Sequence, residues 1–214
     1  MATPAPWKLT GRGFILVYRF PKKFVRESCF IAGDWKHLKW SGFGYVMIVD
    51  YQDSPVGRYH EFLVIPGKAR FAGARRNNIS KIYVDSVDSM VNGRHNWGIT
   101  KELADFTWSE KEGRHLIRIG GGTNWFEIVL EAGRISFPFD TRLLPINLFQ
   151  EVEGQKFEVS PVAKGRGHFG QLKEIKVDPL YFPEVNLLRP LIVIYVNPFE
   201  MIFPVAAIES FYGN

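Results

Sequence analysis

The stretch Gly42-Phe43-Gly44-Tyr45-Val46-Met47-Ile48-Val49-Asp50, followed by Gln52-Asp53-Ser54-Pro55-Val56-Gly57 and then Tyr59-His60-Glu61-Phe62-Leu63-Val64-Ile65, sets the fold class. Two runs of β-branched and aromatic residues flank a segment of Asp, Ser, Pro and Gly, whose φ preferences suit a reversal of the chain. This pattern predicts two antiparallel strands joined by a loop, with Glu61 inside the second strand. The same punctuation recurs in both directions. Residues 13–20 form a strand pattern ended by Pro21, after which 21–27 opens a short helix with proline in its first turn. Residues 79–86 alternate, with Ile82 and Val84 on one face and Lys81, Tyr83 and Asp85 on the other. Further strands are expected at 115–119, 125–131, 134–137, 156–159, 167–177 and 191–203, the last with a break at Pro198. The segment Gly120-Gly121-Gly122-Thr123-Asn124 lies between two of them and has neither P-loop nor dinucleotide-fingerprint context, so it is expected as a hairpin turn. The sum is a mainly β protein, a β-rich α+β chain with few short helices and a large meandering sheet.

Bulk properties narrow the function classes. The 214 residues, 46% hydrophobic and 15% aromatic, are enough for one domain with a substantial core. One domain spanning 1–214 is expected, with the Pro-rich residues 1–10 as a tail. The net charge of +5 is modest and spread along the chain, which argues against nucleic acid. The densest basic run, 68–76, interleaves charge with Gly and Ala and is expected to be a solvated loop. A single cysteine, Cys29, excludes an intrachain disulfide and fits a reducing compartment; its apolar neighbours suggest a buried thiol. The N-terminus lacks a signal-peptide pattern, and the apolar run 191–196 stops well short of the roughly 20 residues that span a bilayer. A soluble, cytoplasmic protein with no membrane partner is expected. The five histidines follow no metal-ligand spacing, so no metal is expected.

The chemistry concentrates at Asn92-Gly93-Arg94-His95-Asn96-Trp97-Gly98-Ile99-Thr100-Lys101-Glu102-Leu103. Strand periodicity is lost between Asp88 and Gly98, which puts Lys101 on a short helix or irregular connection leading into a strand near Phe106-Thr107-Trp108. Gly93-Arg94 precedes Lys101 by eight residues, and Asp53-Ser54-Pro55-Val56-Gly57-Arg58-Tyr59-His60-Glu61 lies upstream. Together these segments resemble the acetoacetate decarboxylase superfamily, in which a Gly-Arg motif stands at that distance before a Schiff-base lysine and a Gly-x-Tyr-x-Glu element faces the same cavity. The likeness spans roughly residues 12–106 and is closer to a decarboxylase-like branch whose members mostly have no assigned reaction.

The resemblance implies an antiparallel β-barrel or cone around a central cavity, with Lys101 and Glu61 as catalytic residues facing each other. It implies Tyr59 and Trp97 as walls of the substrate site. Arg94 either binds a substrate carboxylate or braces the loop, and Arg12 corresponds to the arginine before the family's first strand. It further implies a small keto acid or carboxylated ligand as partner, no cofactor, and a homo-oligomer.

In such a site a neutral lysine amine attacks the ketone, and the resulting iminium accepts the electrons released as carbon dioxide leaves. The amine must be unprotonated, against an unperturbed lysine pKa of about 10.4, and an enclosure of Trp97, Ile99, Leu103 and Phe106 would favour that form. Two departures bear on activity. Thr100 and Glu102 replace the proline and second lysine that flank the decarboxylase's own lysine, and Val46 stands where a second cavity glutamate is expected. Three functions fit these residues: a cofactor-independent Schiff-base lyase, aldolase or dehydratase acting on a small keto acid through Lys101; a tailoring enzyme using the same lysine on a larger substrate; or a non-catalytic β-barrel that binds a small apolar or carboxylated ligand.

Overall fold

The computed structural model describes residues 2–71, 73–143 and 145–210. In chain order its strands are β1 (Trp7–Tyr18), β2 (Gly44–Asp53), β3 (Tyr59–Ile65), β4 (Lys68–Phe71), β5 (Ala74–Asn77), β6 (Lys81–Val84), β7 (Glu102–Leu103) and β8 (Asp105–Lys111), then β9 (Arg114–Gly121), β10 (Thr123–Asp140), β11 (Leu148–Val152), β12 (Gln155–Val159), β13 (Val162–Val177), β14 (Ile192–Phe203) and β15 (Ala207–Ser210). Two α-helices, α1 (Lys22–Ser28) and α2 (Val87–Trp97), interrupt them. The expected hairpin is present: β2 and β3 pair antiparallel from Tyr45 opposite Ile65 to Tyr51 opposite Tyr59.

Ten strands form one sheet in the order β7-β6-β3-β2-β1-β14-β13-β10-β9-β8. The two edge strands, β7 and β8, are separated in the chain by Ala104 alone, whose N–H donates to the Val84 carbonyl at 3.0 Å. The sheet therefore curls until its ends come together at Ala104, and it nearly closes into a barrel. The remaining strands form a smaller sheet, β15-β12-β11-β5-β4.

Strand alternation creates two cores. Phe14, Leu16, Val46, Ile48, Phe62 and Phe126 belong to one buried cluster. Phe62 on β3 and Phe126 on β10 stand five strands apart in the sheet order yet have ring centroids 4.2 Å apart, so this cluster fills the barrel interior. The alternate residues of β1, β2, β3 and β14 face outward, where Trp97 of α2 and Leu148, Phe157 and Val159 of the small sheet cover them. The barrel is thus packed at its centre. The cavity holding Lys101 lies against its outer wall, under that cover, and not in the middle as the family resemblance suggested.

Several elements correct the sequence reading. Residues 2–10 are no tail: Trp7 is buried at the start of β1, and the Thr3 N–H donates to Asn92 Oδ1 at 2.6 Å, tying the chain's start to α2. Of the basic run, residues 68–71 and 74–76 lie in the antiparallel pair β4 and β5, in which Ala69 and Phe71 are buried and Arg76 pairs with Glu158. The strands expected at 125–131 and 134–137 are one strand, β10, whose pairing with β13 shifts register between Ala132 and Ser136. Pro198 does not end β14; Asn197 and Pro198 stand opposite the single residue Arg166 of β13, where the register shifts between Gly165 and Gly167. Gly122, with φ +78°, does make the β9–β10 turn, a conformation that suits glycine. No helix among the described residues is long and apolar enough to cross a membrane.

Candidate active site

Helix α2 is built to aim a side chain. Ser86 caps its N-terminus by accepting the Ser89 N–H at 3.2 Å, an arrangement that stabilises a helix by about 1 kcal/mol. At the other end Gly98 takes the left-handed conformation, φ 63°, with its N–H on the Arg94 carbonyl and the Ile99 N–H on the Gly93 carbonyl. The bond from Gly98 to Arg94 is the 5→1 bond of an αL cap, which ends the helix and turns the chain off its axis. Lys101 follows three residues later on an irregular connection. Its side chain crosses the helix at Gly93, where a Cβ would lie 2.7 Å from Lys101 Cε.

The Lys101 amine is buried and donates to Glu61 Oε2 at 2.8 Å and to Ser89 Oγ at 3.0 Å. Glu61, on β3, is also buried, and its other oxygen accepts the Tyr51 hydroxyl at 3.3 Å. The Tyr59 ring lies 5.3 Å from the amine, within cation–π range. Burial foremost, and then the charge of Glu61, push the Tyr51 and Tyr59 hydroxyls well above the usual tyrosine range. Both phenols therefore stay neutral at any physiological pH. The amine and carboxylate open onto a cavity of about 200 Å³ walled by Leu9, Met47, Leu63, Ile82, Trp97 and their apolar neighbours. At about 30 Å³ per water, the space suits a molecule of a few heavy atoms.

The structure gathers Lys101, Glu61, Tyr59 and Trp97 at this cavity. Arg12 and Arg94 lie outside it. Arg12 sits at the register shift between Gly11 and Gly13 in the pairing of β1 with β14, and bonds Asp50 at 3.0 Å and Glu110 at 2.5 Å while its guanidinium covers the Trp108 ring. Arg94 is exposed on α2 and pairs with Glu153 at 3.3 Å, bracing the helix against the turn before β12. Of the enclosing residues expected around Lys101, Ile99 lines the cavity, but Leu103 is exposed and Phe106 packs on the barrel-interior cluster.

Both departures from the family pattern look different in three dimensions. Glu102 is the first residue of β7, points away from the amine and pairs with Lys81 at 2.6 Å. Val46 is fully buried in the barrel interior, so no cavity acid is missing at that position; the cavity side of β2 carries Tyr45, Met47, Val49 and Tyr51. Ser89 and Tyr51 were not singled out from sequence. Ser89 was detectable, since Ser89, Gly93 and Trp97 recur at helical spacing and, with Asn92, are the buried residues of α2. Among the described residues no cluster of three or more His, Cys, Asp or Glu side chains has metal-binding geometry.

The family model described as acetoacetate decarboxylase (ADC) matches residues 3–175. The chain belongs to the acetoacetate decarboxylase family. Among solved structures of similar shape, the enduracididine biosynthesis enzyme MppR with HEPES buffer bound shares 18% identity at a TM-score of 0.69, covering 99% of this chain and 90% of that one. The same enzyme complexed with pyruvate shares 17% identity at a TM-score of 0.67, covering 100% of this chain and 93% of its own. Acetoacetate decarboxylase from Legionella pneumophila subsp. pneumophila str. Philadelphia 1 shares 17% identity at a TM-score of 0.67, covering 98% of this chain and 89% of that one. At such identities these likenesses show the family's fold and leave its chemistry to the residues. No curated protein sequence matches the chain.

Proposed function

We propose that this protein is a cofactor-independent Schiff-base enzyme that acts on a small keto compound through Lys101. Keto acids are the substrates that the names of its structural relatives suggest. The observation that carries this reading is the contact of the buried Lys101 amine with the Glu61 carboxylate at 2.8 Å, at the edge of an apolar cavity.

Nucleophilic attack requires the amine to shed a proton, and Glu61 is placed to take it. The neutral amine then adds to the ketone, and protonated Glu61 returns its proton to the departing hydroxyl. Water and an iminium result, with Glu61 again a carboxylate. Charge is conserved, because one ammonium becomes one iminium. The Ser89 hydroxyl and the Tyr51 hydroxyl fix the two partners from either side, a preorganised arrangement that suits proton transfer.

The test is to incubate the protein with a panel of keto compounds including acetoacetate and pyruvate, reduce with borohydride, and locate the adduct by mass spectrometry. A secondary amine on Lys101, absent from Lys101→Arg, is the expected result. A panel that leaves Lys101 unmodified excludes imine chemistry and leaves the cavity as a binding site for a small apolar ligand.

A further inference from the structure

The relatives' names suggest acids, but the charges at this cavity are already matched. Lys101 is the only cationic side chain lining it among the described residues, and it is bonded to Glu61 at 2.8 Å. Positions 1, 72, 144 and 211–214, outside the described set, include no lysine, arginine or histidine. The other carboxylate of the lining, Asp140, is held by Arg142, whose Nε lies 3.0 Å from each of its oxygens and whose own side chain points to solvent. Every remaining wall residue is apolar, an aromatic phenol, a glycine or the hydroxyl of Thr141. The two arginines that the sequence offered for a substrate carboxylate are engaged elsewhere, Arg12 with Asp50 and Glu110 and Arg94 with Glu153.

The ion count follows the substrate through imine formation. Before reaction the site holds one ammonium and one carboxylate, and after loss of water it holds one iminium and one carboxylate. An uncharged carbonyl compound keeps that balance throughout. A keto acid adds a second carboxylate, with no cation to receive it, in a space whose walls cannot replace its lost hydration. Glu61, close to the reacting carbon, would also repel it. Conversely, the Leu, Ile, Met and Val side chains along β1, β2, β3 and β14 offer an apolar chain a dry surface extending from the amine.

We infer that the carbonyl substrate of this site is uncharged and carries an apolar chain, as a ketone, an aldehyde or an ester of a keto acid does. This inference rests on Lys101 acting as an imine-forming residue. The chemistry open to such a substrate is enamine formation. Glu61 removes a proton from the carbon next to the iminium, the C–H electrons form the C=C bond, and the C=N electrons return to nitrogen. The neutral enamine that results is a carbon nucleophile, and reprotonation reverses the step.

Pairs of a keto acid and its methyl ester test this, acetoacetate against methyl acetoacetate and pyruvate against methyl pyruvate, with 2-butanone, 2-pentanone and 2-hexanone as a chain-length series that measures what each added carbon contributes. The readout is the concentration giving half-maximal borohydride-trapped adduct on Lys101, normalised to trapping of each compound by a free amine in solution. The expected result is at least a tenfold lower concentration for each ester than for its acid, with capture improving along the ketone series. In D₂O, exchange of the ketones' α-protons, lost in Lys101→Met and Glu61→Gln, is expected to report the enamine. Acids trapped at Lys101 as readily as their esters would overturn the inference while leaving imine chemistry intact. No Lys101 adduct from any compound would overturn both.

Discussion

Gly93 lies directly under the Lys101 side chain: a Cβ on Gly93 would stand 2.7 Å from Lys101 Cε and 3.1 Å from Cδ. That separation is shorter than carbon atoms tolerate, so the glycine of the Gly-Arg motif is required by the path of the lysine rather than by helix geometry. Gly93 sits in the interior of α2, where alanine would ordinarily stabilise by about 1 kcal/mol. Gly93→Ala is therefore expected to displace the amine from Glu61, and because parting a buried pair costs more than the helix gains, the melting temperature should fall. Borohydride trapping at Lys101 should fall by an order of magnitude or more. Unaltered trapping in a folded variant would show that the lysine has another route across the helix.

The Lys101–Glu61 pair is buried on both sides, with side chains 5% and 8% exposed. Removing one member of such a pair strands the other charge, which costs about 3–5 kcal/mol, whereas replacing both with apolar groups of similar size is often neutral. Glu61→Leu and Lys101→Met should each be less stable than the parent in urea titrations. The double variant should be more stable than the sum of the two single losses predicts, because neither charge remains unpaired. Strict additivity would mean that the two groups do not interact energetically despite their 2.8 Å contact.

His115 gives the fold an acid-side weakness. Its ring is fully buried, the Trp108 indole donates to Nδ1 at 3.1 Å, and Nε2 has no partner among the described residues. Burial, the largest cause, lowers the His115 pKa, with Arg12 adding to the effect and Glu110 opposing it. A histidine whose folded pKa is depressed is protonated first in the unfolded chain. Its contribution to stability is thus complete above the unfolded value of about 6.5 and declines as pH falls from there towards the folded value. Urea midpoints should drop between pH 7 and pH 5, and His115→Gln, which keeps an acceptor for Trp108 and does not titrate, should drop less. Parallel curves for the two proteins would assign the acid sensitivity to other groups.

Cys29 is fully buried, and burial pushes its thiol up to about 12. The thiolate is the reactive form, so the native protein should not react with a disulfide reagent at pH 8 and should release one equivalent once unfolded in guanidinium. A fast native reaction would contradict the packing of Cys29 beside Val25 and Trp40.

How much of this was legible beforehand follows from the range of each interaction. The β2–β3 hairpin, α1, the glycine turn before β10 and the burial of Cys29 depend on neighbours in the chain, and period-2 alternation and turn chemistry reported them. The spacing of Gly93 and Glu61 from Lys101 pointed to the amine and its carboxylate. Spacing alone could not say which way Val46 and Glu102 face, because a strand's two faces are equivalent until something covers one of them. Val46 proved to be barrel core, and Glu102 a surface partner of Lys81. Ser89 and Tyr51 were passed over because neither resembles a reactive group until folding brings it to the pair.

By itself, the sequence determined that the chain is mainly β, that Glu61 lies on a strand, and that Lys101 follows a segment without strand periodicity that carries a glycine eight residues before it. Only the tertiary structure decided that the barrel's own interior is filled and that the lysine's cavity lies on its outer wall. It also decided that both candidate arginines are satisfied elsewhere. The physical reason is that local pattern reflects backbone preference and alternation, whereas the matching of buried charges is settled among residues far apart in the chain. Lys101 and Glu61, Arg12 and Asp50, and Arg94 and Glu153 are all pairs of that kind.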